Sequence, residues 1–132
     1  QREVSNIPGS EMSRFVLLRH EVPKEFGRPS HFDLMFESDF ESSLLTWTID
    51  EQPATGRILD AVRLPNHRVT YLDYEGPISN NRGTVHRVDR GDCKVEHLTA
   101  DCIRVTIKGQ ILQGSIVLNR INSDQWQLHY HT

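Results

Sequence analysis

The segment 31–37 (HFDLMFE) carries the residue types best suited to chemistry. If it forms a strand, its side chains alternate between two faces, and His31 and Asp33 project side by side from one of them. An imidazole nitrogen and a carboxylate oxygen at that spacing can bind one Mn²⁺, Zn²⁺ or Fe²⁺ ion. His20 would supply a third ligand if this strand pairs with residues 14–20 as a hairpin. By itself the His-x-Asp pair is more typical of a hydrogen-bonded surface pair, so the metal site is a hypothesis at this point.

A second group of polar side chains, Arg63, His67 and Tyr71, lies further along the chain. On an extended strand His67 and Tyr71, four residues apart, would share a face, and Arg63 precedes the bend expected at Pro65. A guanidinium, an imidazole and a phenol that converge beside a metal would bind a phosphate-sized oxyanion, with the imidazole as proton donor. The same spacing fits a solvent-exposed arginine and a half-buried sheet tyrosine equally well.

Composition and motifs exclude several classes of protein. The chain has 132 residues, with 15 basic and 18 acidic side chains and a formal net charge of −3. This excludes the strongly basic surface typical of nucleic-acid binders and confines any polyanion contact to a local patch. Kinase-like and serine-hydrolase sites are excluded because no Gly-rich phosphate loop or nucleophile elbow occurs. Without an apolar run of transmembrane length, we expect a soluble intracellular protein, in which Cys93 and Cys102 are reduced thiols.

Short strands dominate the chain that must position these residues. Segments rich in Val, Ile, Leu, Thr and aromatic residues alternate with Gly, Pro, Asn and Asp, and helical periodicity is nearly absent. We predict strands at 14–20, 31–37, 43–49, 58–64, 68–74, 84–89, 93–98, 102–107, 111–121 and 125–130. We predict turns at 27–30, 51–56, 64–67, 75–83, 89–92 and 108–110, and a short helix only around 38–44 or 52–60.

This pattern predicts an all-β protein with one domain, a small closed or nearly closed β-barrel over residues 14–132. At most one or two short helices accompany the strands, and residues 1–13 form a flexible N-terminal arm. Closure is favoured over an open sandwich because it removes exposed strand edges. Trp47 and Trp126 are expected to anchor the core.

A series of motifs, in order, resembles the 3′-phosphoesterase domain of bacterial DNA ligase D, in a free-standing and divergent form, over about residues 14–130. That family has a strand ending in a metal-binding His and then an HYDFRLE-like strand, matched here by RFVLLRH with His20 and by HFDLMFE with His31 and Asp33. Its LKSWAVPKGP-like, VRxxDHPLxYxDFEG-like and GTVxxWDRG-like segments are matched by LLTWTIDEQP, VRLPNHRVTYLDYEG and GTVHRVDRG. Its Gly-x-Leu-x-Gly hairpin is matched by KGQILQGSIVLNR.

The resemblance implies a small β-barrel with a manganese-dependent activity that trims 3′-terminal phosphates or ribonucleotides from DNA or RNA-DNA ends during repair such as non-homologous end joining. The Mn²⁺ ion, or Zn²⁺ or another divalent cation in its place, would be held by His20, His31 and Asp33. The phosphate-binding and catalytic residues would be Arg63, His67 and Tyr71. A monomeric, cytoplasmic, nucleoid-associated prokaryotic protein with a ligase or polymerase as repair partner is also implied.

Three positions depart from the family pattern. Leu18, Met35 and Glu51 stand where the family has a Gln, an Arg and a Lys, so three polar phosphate contacts are lost, and an acidic side chain would repel DNA phosphate. The interval between His20 and His31 is also several residues longer. Catalysis could therefore be weakened, redirected or lost, and the alternative is an inactive module that binds nucleic-acid ends or a protein. A further alternative, a non-haem iron oxygenase with a His-x-Asp-plus-distal-His triad, is disfavoured by the short chain.

Overall fold

The computed structural model describes residues 13–27, 29–38, 42–80 and 82–132. These residues form nine strands and two short 3-10 helices. The strands are β1 (Ser13–Glu21), β2 (His31–Phe36), β3 (Leu44–Ile49), β4 (Ile58–His67), β5 (Gly76–Pro77), β6 (Thr84–Leu98), β7 (Cys102–Gly109), β8 (Gln113–Asn122) and β9 (Gln125–His131). The 3-10 helices are η1 (Lys24–Phe26) and η2 (Val69–Leu72).

Eight of the described strands close into an antiparallel barrel. Hydrogen-bonded neighbours follow the order β1-β2-β3-β4-β9-β8-β7-β6, and β6 pairs again with β1 to complete the cylinder. The remaining strand, β5, pairs with Thr84 and Val85 at the start of β6. Further along β6, from Gly91 onward, the pairing partner is β7. The prediction of a small closed all-β barrel is confirmed.

The interior of the barrel is filled by alternate side chains of the surrounding strands. Trp47 and Trp126 are both buried there, with ring centroids 5.4 Å apart in an edge-to-face arrangement, so the prediction that they anchor the core is confirmed. On β2, Leu34 and Phe36 point into this interior cluster, whereas Met35 belongs to a different one. The alternation predicted for β2 is therefore present, and it places the intervening polar residues on the outside.

A second apolar cluster lies on the outer face of β1 and β2. It is formed by Val16, Leu18, Met35, Leu44, Leu72 and Val85, with Tyr71 and Ile78 packed against it. Tyr71, Leu72 and Ile78 come from residues 68–80, which we call the covering segment. Asp73 of this segment lies 3.6 Å from Arg14 and 3.7 Å from Arg90, and Glu75 accepts a 2.7 Å hydrogen bond from the backbone N–H of Arg87. These contacts hold the covering segment against the barrel wall.

Three local predictions are wrong. Residues 68–74, predicted as a strand, form η2 and a turn. The turn predicted at 64–67 is the end of β4, where a shift in register against β3 accommodates the proline. The turn predicted at 89–92 lies inside β6, which joins two predicted strands into one. Gly91 permits this, because a Cβ atom there would collide with the carbonyl oxygen of Lys108 on β7.

The short helices lie elsewhere than predicted. The described parts of 38–44 and 52–60 contain none, and residues 39–41 lie outside the described residues. The arm predicted at 1–13 lies outside them as well, except for Ser13, which begins β1. Cys93 and Cys102 are both free thiols, as predicted. Among the described residues, no helix is long and apolar enough to cross a bilayer.

Candidate metal and phosphate site

Three side chains that could bind a cation meet on the outer face of the barrel. β1 and β2 pair antiparallel, with His20 directly opposite His31, and Asp33 lies two residues further along the same face of β2. One ligand atom from each side chain lies within 4.8 Å of the other two. The hairpin expected from the sequence is present, and it brings together the three residues that the sequence predicts as ligands.

Backbone carbonyls orient both imidazoles. Because a carbonyl oxygen only accepts, His31 Nδ1 donates to Pro29 at 3.2 Å, and His20 Nε2 donates to Arg82 at 2.9 Å. In the neutral form of each ring the second nitrogen carries a lone pair. His31 Nε2 lies 3.4 Å from Asp33 Oδ1, and His20 Nδ1 lies 3.7 Å from Asp33 Oδ2. Metal-binding histidines are typically oriented in this way, by a hydrogen bond from the nitrogen that does not bind the metal.

The chemistry of the Asp33 carboxylate fits a cation. Asp33 is only 4% exposed, and its Oδ1 atom has no hydrogen-bond partner among the described residues. A buried carboxylate oxygen without a donor is unfavourable unless a positive charge compensates it. Two imidazole nitrogens and one carboxylate oxygen are a donor set that Mn²⁺, Fe²⁺ and Zn²⁺ accept, and three protein ligands leave coordination positions for substrate.

Gly83 allows the chain to close against His20. It has a φ of +106°, and a Cβ atom there would collide with the carbonyl oxygen of Glu21 and lie 3.3 Å from His20 Nε2. Only glycine adopts this conformation readily. Because Gly83 follows Arg82 directly, it brings the Arg82 carbonyl to the position where it accepts the His20 hydrogen bond.

The three candidate ligands line a pocket of about 410 Å³. The other polar residues of its wall are His67, Tyr71 and Arg82, and the apolar ones are Val22, Phe26, Met35, Leu64, Ile78 and Val85. His67 Nδ1 donates to the Pro65 carbonyl at 2.8 Å, and the His67 ring packs edge to face against Tyr71 at 5.6 Å. His67 and Tyr71 are therefore neighbours, as the sequence predicts, although η2 and not a strand brings them together.

The structure places Arg63 and Arg82 differently from the sequence-based expectation. Arg63 pairs with Trp47 across β3 and β4, and its guanidinium carbon lies 4.5 Å from the centroid of the indole ring. Its Nη2 atom donates to Asn66 at 3.2 Å, and it is not among the residues of the pocket wall. Arg82 does line the pocket and donates to Ser79 through Nε at 2.9 Å and Nη2 at 3.2 Å. Sequence reasoning missed Arg82 because it lies in a predicted turn, where no periodicity marks a side chain's direction.

The three departures from the family pattern have separate structural roles. Leu18 and Met35 are buried in the outer apolar cluster, and Met35 also lines the pocket. Glu51 receives hydrogen bonds from Arg57 Nε at 2.8 Å and Nη2 at 2.7 Å. This pairing holds the pKa of Glu51 below its usual value, so the carboxylate stays ionised while Arg57 balances its charge. The repulsion of DNA expected from Glu51 is thereby reduced.

A family model described as the DNA ligase D 3′-phosphoesterase domain matches residues 19–120, well over half of the chain. No curated protein matches the chain. The matched region contains all the polar residues of the pocket wall, from His20 to Arg82.

Proposed function

Because the chain belongs to the DNA ligase D 3′-phosphoesterase domain family, we propose that it is a metal-dependent hydrolase that removes phosphate from the 3′ ends of DNA or RNA-DNA strands in DNA repair. The observation that carries this proposal is the convergence of two oriented imidazoles and a buried carboxylate, whose Oδ1 has no hydrogen-bond partner among the described residues, in the pocket that also contains His67. A non-haem iron oxygenase gains no support from the family match.

The three ligands would hold the cation, and Mn²⁺ is the ion that we propose. The bound ion would act as a Lewis acid toward a phosphoryl oxygen. His20 and His31 each keep one nitrogen on a backbone carbonyl, so the other nitrogen is directed toward Asp33 before any substrate arrives. Such preorganisation avoids reorienting the ligands during the reaction.

The remaining polar residues of the pocket would bind and orient the phosphate. Since Nδ1 of His67 donates to a backbone carbonyl, Nε2 is the nitrogen that faces the substrate. With the ring in its imidazolium form, Nε2–H would hydrogen-bond the phosphate or give its proton to the leaving oxygen. The Tyr71 ring fixes the orientation of the imidazole. Arg82 would contribute charge-assisted hydrogen bonds to a phosphate oxygen.

Phosphate release with and without metal tests this proposal. Mn²⁺ should stimulate release of inorganic phosphate from a 3′-phosphorylated oligonucleotide. His67→Ala should lower kcat by about 10²–10⁴, the usual contribution of a general acid, while the protein still binds Mn²⁺. Asp33→Asn should abolish both activity and the Mn²⁺-induced rise in Tm, which for the unmodified protein corresponds to about 2.7 kcal/mol at a hundredfold excess of ion over Kd. Exposed Asp60 offers a matched control, and Asp60→Asn should behave like the unmodified protein.

Two results would contradict the proposal in different ways. If Mn²⁺ and the other divalent ions leave Tm unchanged, the metal site is wrong. If the protein binds both Mn²⁺ and the 3′-phosphorylated oligonucleotide but releases no phosphate, it is the inactive end-binding module.

A further inference from the structure

Phe26 is an aromatic residue that the fold itself does not require. It is 47% exposed, and η1, which carries it, contains no buried residue. Burial of an aromatic ring contributes strongly to stability. A ring that is about half exposed gains only part of that contribution. Phe26 nevertheless contributes to the wall of the pocket that holds the candidate metal ligands.

The position of Phe26 is fixed relative to these ligands. The chain leaves β1 just after His20 and enters β2 at His31, so η1 lies between two candidate ligands. The Phe26 N–H donates to the Pro23 carbonyl at 3.1 Å. The base of the loop is tied by a 3.0 Å hydrogen bond from the Val22 N–H to Ser30. Local hydrogen bonds thus hold the backbone that carries Phe26, whose side chain lines the pocket.

The pocket is larger and less polar than a phosphate alone requires. Its volume of about 410 Å³ falls within the roughly 300–1,000 Å³ typical of small-molecule sites. His67 and Arg82 offer polar contacts, whereas Phe26 forms an apolar wall with Val22 and Ile78. A ligand that satisfies both kinds of wall carries an anionic group and a flat apolar group. A nucleotide with a 3′-phosphate has this composition.

We propose that Phe26 stacks on the base of the nucleotide that carries the phosphate to be removed. This inference rests on the proposed function and adds a substrate class to it: an unpaired 3′-terminal nucleotide, whatever its base. Proteins commonly hold unpaired bases on exposed aromatic rings, and such stacking tolerates all bases because each has a π-face. Phe26 would be a residue that positions the substrate and takes no part in the chemistry.

Two single-stranded oligonucleotides with a 3′-phosphate test this inference. One ends in an ordinary nucleotide and the other in an abasic sugar. The unmodified protein should have the lower KM for the first. Phe26→Ala should raise that KM by roughly 5- to 150-fold, the value of one stacked base, and leave the abasic substrate unchanged. Phe26→Trp should restore the preference, whereas Ile121→Ala, at another exposed apolar side chain, should have no effect.

The outcomes separate this inference from the proposed function. If phosphate is released equally fast from both oligonucleotides, or if Phe26→Ala slows both equally, base stacking is wrong and the hydrolase proposal stands. If no phosphate is released from either, the hydrolase proposal fails, and binding of the same two oligonucleotides, measured by fluorescence anisotropy, decides the inference. Tighter binding of the base-bearing end that Phe26→Ala removes would support stacking, and equal binding of both ends would overturn it.

Discussion

Two arginines show how the surroundings of a single residue determine its role. Arg82 lines the pocket and is exposed, whereas Arg63 is half-buried against Trp47. Arg82→Ala should lower kcat/KM for phosphate release by about 10- to 100-fold, since a hydrogen bond from a charged donor contributes about 1.5–3 kcal/mol. Its effect on the free energy of unfolding should be about 1 kcal/mol or less, because only the exposed hydrogen bonds to Ser79 are lost.

Arg63→Ala is the matched comparison. It removes a cation–π contact, worth about 0.5–2 kcal/mol, so it should lower the free energy of unfolding in urea and change kcat/KM only slightly. The opposite pattern, with activity lost in Arg63→Ala and retained in Arg82→Ala, would place the phosphate at Arg63, as the sequence predicts.

The candidate site could be predicted from the sequence only where side-chain direction follows from local spacing. The period of two along β2 places His31 and Asp33 on one face, and hairpin pairing adds His20. The direction of Arg63 depends on the register of β4 against β3, which includes an irregular step. The position of Arg82 at the pocket depends on the positive φ of the next residue, Gly83. Neither feature leaves a periodic signal.

Among the elements, the hairpin between β7 and β8 depends on one buried carboxylate. Asp89 on β6 is only 4% exposed and accepts four backbone N–H bonds, from Arg90 at 2.8 Å, Gln110 at 2.8 Å, Ile111 at 3.1 Å and Leu112 at 2.8 Å. Asp89→Asn would replace one acceptor oxygen with an NH₂ group that faces these donors. We expect a loss of about 1.5–3 kcal/mol in the free energy of unfolding, measured by urea denaturation.

Asp92, on the same strand but exposed, provides the control for this prediction. Asp92→Asn should change the free energy of unfolding by less than about 0.5 kcal/mol. If Asp89→Asn proves equally neutral, the four hydrogen bonds do not stabilise the hairpin, and another feature of the strand must hold it.

Elements could be predicted where local pattern and tertiary packing agree. The strands of the barrel wall combine β-branched residues with alternation, and most of them lie where predicted. The segment 68–74 has the same composition, yet it forms η2, because Leu72 packs into the outer apolar cluster together with Tyr71. The sequence 89–92 contains turn residues, but the buried carboxylate of Asp89 bonds across to the neighbouring hairpin. In both cases contacts distant in sequence override local preference.

At the level of the whole molecule, a substrate can reach the outer face of the barrel but not its interior. The interior of the barrel is filled by the apolar cluster around Trp47 and Trp126. The pocket lies on the outer face, beside the covering segment. A nucleic-acid strand must therefore approach this face of a chain whose net charge is −3. Within the described lining of the pocket, Arg82 is the one arginine and no lysine is present.

Binding of a 3′-phosphorylated single strand should consequently depend only weakly on salt. Each neutralised phosphate of a single strand contributes about −0.7 to the slope of log K against log salt, so two contacts would weaken binding about sevenfold between roughly 50 and 200 mM KCl. Fluorescence anisotropy with the His67→Ala variant in the presence of Mn²⁺ measures this slope without turnover. Adding Arg82→Ala should reduce the slope by about one contact. A thousandfold loss over the same range would instead require about seven phosphate contacts. An extended basic surface outside the pocket would then have to replace the local contact inferred from the pocket lining.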